Sequence, residues 1–387
     1  MGHKGKMLPV LSEVLLAESK NSKRIADPFC GSGAVAWHMA QNFNKIIIAG
    51  DLQSYATIRA ASVVTRTEKI ENYSIYLNSW FNQANKLANK IFEFFPNHFK
   101  SIDPQIDDYK KIREIVYRSR NFSEQVLPNI FQKIGGKWAI TKAYGGYYYS
   151  PYQSIIFDSL RQTLPNDENF KLIALSALID AASRCSASPG HTAQPFQPTE
   201  KAAKYIINAW KKDVLIYVKK SVSEIAKIYS KNRGKSIRGD YKLTIKELEE
   251  GDLVFADPPY SGVHYSRFYH VLETLTLGKE FEVSGQGRYP NQIYRPTSSF
   301  SKKSESYQAA KEFLNICSEK KLNVVLTFPE NQSSNGLCAK DFMGIGKKYF
   351  SDVEYENFES EFSTLGGNLI HRKSRIKSNE SILIFRI

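Results

Sequence analysis

Residues 24–51 read RIADPFCGSGAVAWHMAQNFNKIIIAGD. Arg24-Ile25-Ala26-Asp27-Pro28-Phe29 reads as a short strand ending in a turn, where the proline ends any regular ladder. Gly31 and Gly33 follow, and Ala34–Ala40 has the composition of a helix. Ile46–Ala49 is a continuous apolar run, the mark of a strand buried on both faces, and it ends at Gly50-Asp51. Strand, Gly-rich turn, helix, strand and acid make a βαβ unit, so a doubly wound α/β sheet is expected.

The turn sits where such sheets hold ligands, beyond the carboxyl end of a strand. Its glycines permit tight turning and close approach by a bound molecule. The spacing is neither GxGxxG nor GxxxxGK[ST], which argues against a pyrophosphate cradle. Asp51 closes the second strand, where a carboxylate can accept hydrogen bonds from both hydroxyls of a ribose. The pair suits S-adenosylmethionine, with the Gly turn at the methionine moiety and the acid at the ribose. The competing reading is a plain strand–turn–helix junction capped by Ser32.

Further along, the apolar strand Leu253-Val254-Phe255-Ala256 runs into Asp257-Pro258-Pro259-Tyr260. Two prolines fix the backbone and remove two N–H donors, leaving carbonyls that can only accept. A base amino group is a poor nucleophile because its lone pair is delocalised into the ring. Acceptors for both N–H bonds favour pyramidalisation, and Asp257 with the Pro258 carbonyl are the natural pair. Tyr260 is placed to stack on an extruded base. A simple strand exit built from Asp and Pro is the alternative.

Between these motifs, residues 53–235 read as mostly helical with Lys-rich polar faces. Residues 7–18 carry apolar positions at helical spacing. Two stretches interrupt the helical region, the tyrosine-rich Lys142–Tyr152 and Ser186–Phe196, the latter after a small-residue helix over 171–184. Strand patterns return at Asn323–Thr327, more weakly at Val353–Phe358, and at Ser381–Arg386. The stretch 278–306, rich in Gly, Ser, Pro and Lys, reads as a long loop. The sheet is thus split in sequence by an insertion too long for an ordinary crossover. Residues 1–65 and 236–387 are read as the catalytic domain and 66–235 as a helical insertion.

The 387 residues carry a net charge of +14, and so basic a chain points to an anionic partner, nucleic acid first. Residues 201–250 hold 13 Lys/Arg against 6 Asp/Glu, a DNA-facing surface or a solvated helical face. His371–Arg375 is a second basic run. No apolar run reaches 18 residues and the start lacks an apolar signal core, so a cytoplasmic protein without a membrane partner is expected. Cys30, Cys185, Cys317 and Cys338 are far apart, which suggests neither a zinc site nor a disulfide framework.

Asp27–Gly33 followed by Asp257–Tyr260 resembles the motif pair of amino-group DNA methyltransferases. The motif order, with a long insertion between, is similar to the Dam-type (alpha-class) adenine-N6 enzymes. Lys4–Pro9 resembles their N-terminal glycine–lysine motif. Ile237–Asp240 before Glu249–Asp252 resembles the segment whose acid approaches the cofactor adenine, Thr327-Phe328-Pro329 the end of a late strand, and Lys377–Ile384 the last hairpin. The resemblance covers the two ends of the chain and leaves the middle unmatched.

It implies a Rossmann-like class I S-adenosylmethionine-dependent methyltransferase sheet with a large, mostly helical insertion that carries target recognition. The cofactor residues it implies are Lys6, Asp27, Pro28, Phe29, Gly31, Gly33, Asp51 and Asp240, and the catalytic ones Asp257, Pro258, Pro259 and Tyr260. Tyr265 and Phe268 are read at the lip of the target pocket, with Arg288 and Arg295 in the Gly/Pro-rich loop as further substrate contacts. Double-stranded DNA is the implied partner, in a setting that admits companion restriction or defence proteins. Cytosine-N4 methylation, an RNA or protein-amide substrate, and a nucleic-acid-binding protein on an inactive methyltransferase fold are the rival readings.

Overall fold

The computed structural model describes residues 7–96, 108–362 and 376–387, with side chains described at 7–96, 108–356 and 380–387. Contacts divide the chain into two compact units. The sheet unit holds the described residues of Met1–Glu68, Tyr229–Tyr265 and Pro296–Ile387; the helical unit holds those of Lys69–Ile228 and Ser266–Arg295. Residues 266–295, which follow Asp257–Tyr260 in sequence, therefore group with the helices.

In chain order the strands are β1 (Arg24–Asp27), β2 (Ile46–Asp51), β3 (Lys235–Arg238), β4 (Leu253–Ala256), β5 (Val283–Ser284), β6 (Tyr289–Pro290), β7 (Asn323–Pro329), β8 (Asp352–Phe362) and β9 (Ile376–Arg386). Seven of them form one sheet in the order β3-β2-β1-β4-β7-β9-β8. The pairs from β3 to β7 are parallel, and β9 runs antiparallel to both β7 and β8. This is the doubly wound α/β sheet expected from the opening. The apolar runs are buried as their composition requires, with Leu253–Ala256 wholly inside and Val324–Phe328 likewise. Phe313, Leu314, Val324, Leu326, Phe342 and Phe385 belong to one core cluster with Ala26 and Val254.

β3 was not legible as a strand, because Lys-Ser-Ile-Arg on a sheet edge buries no residue fully. β8 begins at Asp352 and extends beyond the expected Phe358, and β9 begins at Ile376 rather than Ser381, since long antiparallel pairs continue on backbone bonding without an apolar pattern. The stretch 278–306 is not wholly loop. It contains the β5–β6 pair, with Val283 opposite Pro290 and Ser284 opposite Tyr289, and two short 3-10 turns.

The helical unit includes Tyr73–Phe92, Pro151–Gln162 and Glu168–Cys185. Its helix starts are written locally. Ser150 and Gln153 form a capping box before Pro151, and Asp167 and Asp213 cap the helices that follow them. The tyrosine-rich stretch is core. Tyr144, Tyr148 and Tyr149 are fully buried. Their hydroxyls are bonded to Thr274 Oγ1, to the Thr192 and Gly287 carbonyls, and to the Ala182 carbonyl. A buried hydroxyl is tolerated only with such a partner. Only Tyr152 of this group is well exposed, stacked 5.0 Å from Phe92. Among the described residues no helix is long and apolar enough to cross a membrane.

Candidate active site

In the sheet unit the chain leaves β1 toward β2 and β3 on one side, and returns through β4 to β7 on the other. The β1–β4 junction is therefore the topological switch point, where the loops part and leave a crevice. Ile25 lies opposite Leu253 and Ala26 opposite Val254. That register brings the segment from Asp27 and the segment from Asp257 to the same edge of the sheet. Motifs some 230 residues apart in sequence meet there because parallel pairing allows no other arrangement of these strand ends.

The first segment is a tight turn. Gly31 and Gly33 have φ of 48° and 78°, the left-handed region that suits glycine. A Cβ on Gly33 would also lie 3.3 Å from the Ala60 nitrogen. The Asp51 carboxylate organises the turn from the next strand. Its Oδ2 accepts from the Gly31 N–H at 3.0 Å and its Oδ1 from the Gln53 N–H at 2.9 Å. The Cys30 N–H bonds the Gly50 carbonyl alongside. Cys30 itself is buried, and burial pushes its thiol well above the usual range, so it is inert filling. Trp37 and Arg59 join the two helices behind the turn, the indole N–H donating to the Arg59 carbonyl at 2.7 Å and the guanidinium lying 4.5 Å over the ring.

Asp27 is buried and accepts weakly from the Phe29 N–H at 3.4 Å. Pro28 is buried beside it. Phe29 meets Tyr241, Phe300 and Phe313 at 5.8, 5.5 and 5.8 Å, an aromatic cage that anchors the turn to the core. Asp240 is exposed two residues past Arg238, which pairs with Asp51, and it caps the helix Tyr241–Lys246. Lys6 lies outside the described residues.

The second segment is held more elaborately than its motif reveals. The Asp257 Oδ1 accepts from the Thr327 hydroxyl at 3.1 Å, across the β4–β7 pair in which Ala256 faces Leu326. Asn335 is fully buried, and its Nδ2 donates to both the Pro259 and Phe300 carbonyls at 3.0 Å. Its backbone N–H reaches the Tyr260 carbonyl at 3.4 Å, and its Oδ1 accepts from the Leu337 N–H. Gly262 donates to Ser334 Oγ at 2.9 Å, and a Cβ on it would strike the Ser334 carbonyl at 2.8 Å. Among the described residues no donor is bonded to the Pro258 carbonyl. The Tyr260 ring is half-buried, edge-on to Tyr265 at 6.3 Å and Phe328 at 6.4 Å.

Thr327 and Asn335 were not foreseen as site residues. Thr327 was legible only as a strand end, and Asn335 was not read at all, since nothing in an Asn-Gly pair shows that its amide turns back on the prolines. Asn335→Ala leaves the buried Phe300 carbonyl and the half-buried Pro259 carbonyl without this donor, so a loss of about 2–4 kcal/mol is expected. Thermal unfolding measures it; a melting temperature unchanged from wild type would show that the amide does not hold this loop.

Three expected substrate contacts fall in the helical unit and have partners of their own there. The Phe268 ring is buried against His191 at 5.2 Å, and its carbonyl accepts from Thr192 N–H and Oγ1 at 2.7 and 2.8 Å. Arg288 pairs with Glu124 at 2.9 Å, bonds the Ala143 carbonyl and covers the Tyr147 ring at 4.1 Å. Arg295 lies 5.5 Å from the Tyr289 ring. Tyr265 ends the continuous part of the sheet unit, beside Tyr260.

Two comparisons bear on this arrangement. The family model described as "D12 class N6 adenine-specific DNA methyltransferase" matches residues 1–117 and 146–328, which takes in both strand-end segments and much of the helical region. The chain is also 22% identical, over 405 aligned positions, to the modification methylase LlaI of Lactococcus lactis subsp. lactis. That alignment covers 99% of this chain and 56% of the relative, so the chain spans little more than half the relative's length.

Proposed function

We propose, since the chain belongs to the D12 class N6 adenine-specific DNA methyltransferases, that it transfers a methyl group from S-adenosylmethionine to the exocyclic N6 of an adenine in double-stranded DNA. The observation that carries the reading is the meeting of the Asp51-held Gly turn and the Thr327-held Asp257 at the ends of adjacent strands.

The residues at β2 fit a nucleoside cofactor. Each Asp51 oxygen accepts from a backbone N–H, and a carboxylate oxygen can accept more than one hydrogen bond, ribose hydroxyls included. Two residues on, Gln53 is buried with an Oε1 that has no hydrogen-bond partner, an acceptor ready for a ligand's donor. Asp27, Pro28, Phe29, Gly31, Gly33 and Asp240, with Lys6, complete the proposed set. Bound there, S-adenosylmethionine supplies an electrophilic methyl on a sulfonium.

The remaining work falls to the chain itself. A target adenine leaves the stack to reach the crevice, as any base modified inside a duplex must. Tyr260 takes one of its faces, with Tyr265 beside it. The Asp257 carboxylate, oriented by the Thr327 hydroxyl, and the Pro258 carbonyl accept from the two amino N–H groups. This frees the nitrogen lone pair and holds it in line. Positioning of this kind supplies up to ~7–11 kcal/mol of a barrier. After methyl transfer the nitrogen carries a positive charge, and its proton leaves through Asp257. The helical unit, which includes Phe268, Arg288 and Arg295, is the proposed reader of DNA. A companion restriction or defence protein belongs to the same reading.

The test is transfer of tritiated methyl from S-adenosylmethionine to unmodified genomic DNA, followed by nucleoside analysis. N6-methyladenine is the expected product. N4-methylcytosine would overturn the base assignment, and label entering RNA but not DNA would overturn the substrate.

A further inference from the structure

Arg267 and Arg295 share one aromatic ring and no acid. Their guanidinium carbons lie 4.7 and 5.5 Å from the centroid of Tyr289, within cation–π range. Neither is in an ion pair among the described residues; of the other arginines of the helical unit, Arg118, Arg184 and Arg288 each have a carboxylate partner, while Arg120 and Arg161 donate to backbone carbonyls. The Nε of Arg295 is buried without a hydrogen-bond partner. Burial, then repulsion from Arg267, lowers the Arg295 pKa below the usual arginine value. Two like charges brought together without a counterion raise the energy of the free protein, and a bound anion would reverse that cost.

The ring they share is held in place. Tyr289 stands on β6, paired with β5, and its hydroxyl donates to the Ala193 carbonyl at 2.6 Å. His270 packs tilted against it at 4.9 Å. Gly287 passes so close that a Cβ there would fall 2.2 Å from the tyrosine ring and 2.4 Å from the Ala193 carbonyl. The imidazole of His270 contacts the Arg267 and Gly287 carbonyls, and burial lowers its pKa to about 4, so it adds no charge near pH 7. The site is a held tyrosine ring with two guanidinium groups within cation–π distance of it.

We propose that Arg267 and Arg295, spread over the Tyr289 ring, form a binding site for a backbone phosphate of the DNA substrate. A guanidinium fork matches a phosphodiester oxygen pair, and two of them neutralise its charge without reading sequence. The assignment rests on the DNA-methylating function proposed above.

The test is fluorescence anisotropy of a labelled duplex titrated with full-length protein at several NaCl concentrations. Wild type, Arg267→Gln, Arg295→Gln and the matching lysine variants are compared. Each glutamine variant is expected to flatten the slope of log K against log [NaCl] by about 0.9, which near 0.1 M salt corresponds to roughly eight-fold weaker binding. The lysine variants keep the charge and are expected to keep the slope. Unchanged slopes in both glutamine variants, with wild type binding normally, would overturn the site alone. So would equal losses in the lysine and glutamine variants, which would mark a packing role. A wild type that binds no duplex would overturn the DNA reading together with the site.

Discussion

Asp257→Ala is expected to reduce methyl transfer to DNA by about 10³-fold while S-adenosylmethionine still binds. Removing one preorganised hydrogen-bonding group aimed at a developing charge costs about 10²–10³ in kcat, and a hydrogen bond to a charged group carries more than a neutral one. Asp257 supplies one of the two proposed acceptors for the amino group, and its Oδ1 is already oriented by Thr327 at 3.1 Å. Alanine removes the acceptor and, with it, the bond from Thr327. The cofactor is assigned to the β1 turn and β2 end, so calorimetric binding of S-adenosylmethionine should change little. Asp257→Asn separates two roles for the carboxylate. The Thr327 hydroxyl can rotate to accept from the new amide N–H, leaving the amide oxygen for the substrate. If accepting is the main role, Asp257→Asn retains about ten-fold more activity than Asp257→Ala, a gap of ~1.4 kcal/mol. Equal losses would mean that Asp257 acts chiefly by taking the proton rather than by accepting the hydrogen bond. Alanine activity within ten-fold of wild type would remove Asp257 from the chemistry.

Legibility in this chain follows from how a residue announces itself. Ile46–Ala49 and Leu253–Ala256 were legible because a strand buried on both faces must be apolar throughout, and the structure buries them almost completely. The two strand-end motifs were legible because glycine pairs and proline pairs are rare demands on backbone geometry. Their meeting followed from the parallel sheet. What failed to show was polar and long-range. β3 offers no apolar pattern because it lies at an edge. Asn335 donates to Pro259 across 76 positions, and nothing in an Asn-Gly dipeptide names that partner. The sequence of Tyr144–Tyr152 suits a surface that stacks on bases as well as a half-buried hairpin, and it names neither. The decision came from hydroxyl partners at Thr274, Thr192, Gly287 and Ala182, all distant in sequence.

The unit boundaries show the same limit. Residues 266–295 follow Asp257–Tyr260 closely, and the one compositional change within them, from 278 on, continues to 306 and does not mark where the unit ends. They group with the helices because Tyr144 reaches Thr274, Trp138 reaches Glu280 and Tyr148 reaches Gly287. The expected substrate contacts Phe268, Arg288 and Arg295 thereby belong to the unit proposed to meet DNA, whereas Tyr265 belongs to the sheet unit, which carries the proposed catalytic residues.

Asp51→Ala is expected to weaken S-adenosylmethionine binding by at least about 10²-fold, and to do so through two separate losses. The first is the ligand's. Hydrogen bonds to a charged acceptor contribute about 1.5–3 kcal/mol each, so losing ribose contacts alone reaches that figure. The second is the protein's. The Gly31 and Gln53 N–H groups would lose their acceptor, and the turn that faces the cofactor would lose the strap that sets its shape. Asp51→Asn tests the division. Its single amide oxygen can serve one of the two backbone donors, while the amide NH2 opposes the other. A small loss in Asp51→Asn with a large one in Asp51→Ala would show that shaping the turn dominates. Similar losses in both would show that the negative charge at the ribose dominates. Calorimetry with S-adenosylmethionine, paired with thermal unfolding of the ligand-free proteins, reads the two parts apart. The first reports both losses, and the second reports only the strain in the turn. Affinity within two-fold of wild type in Asp51→Ala would move the cofactor away from the end of β2.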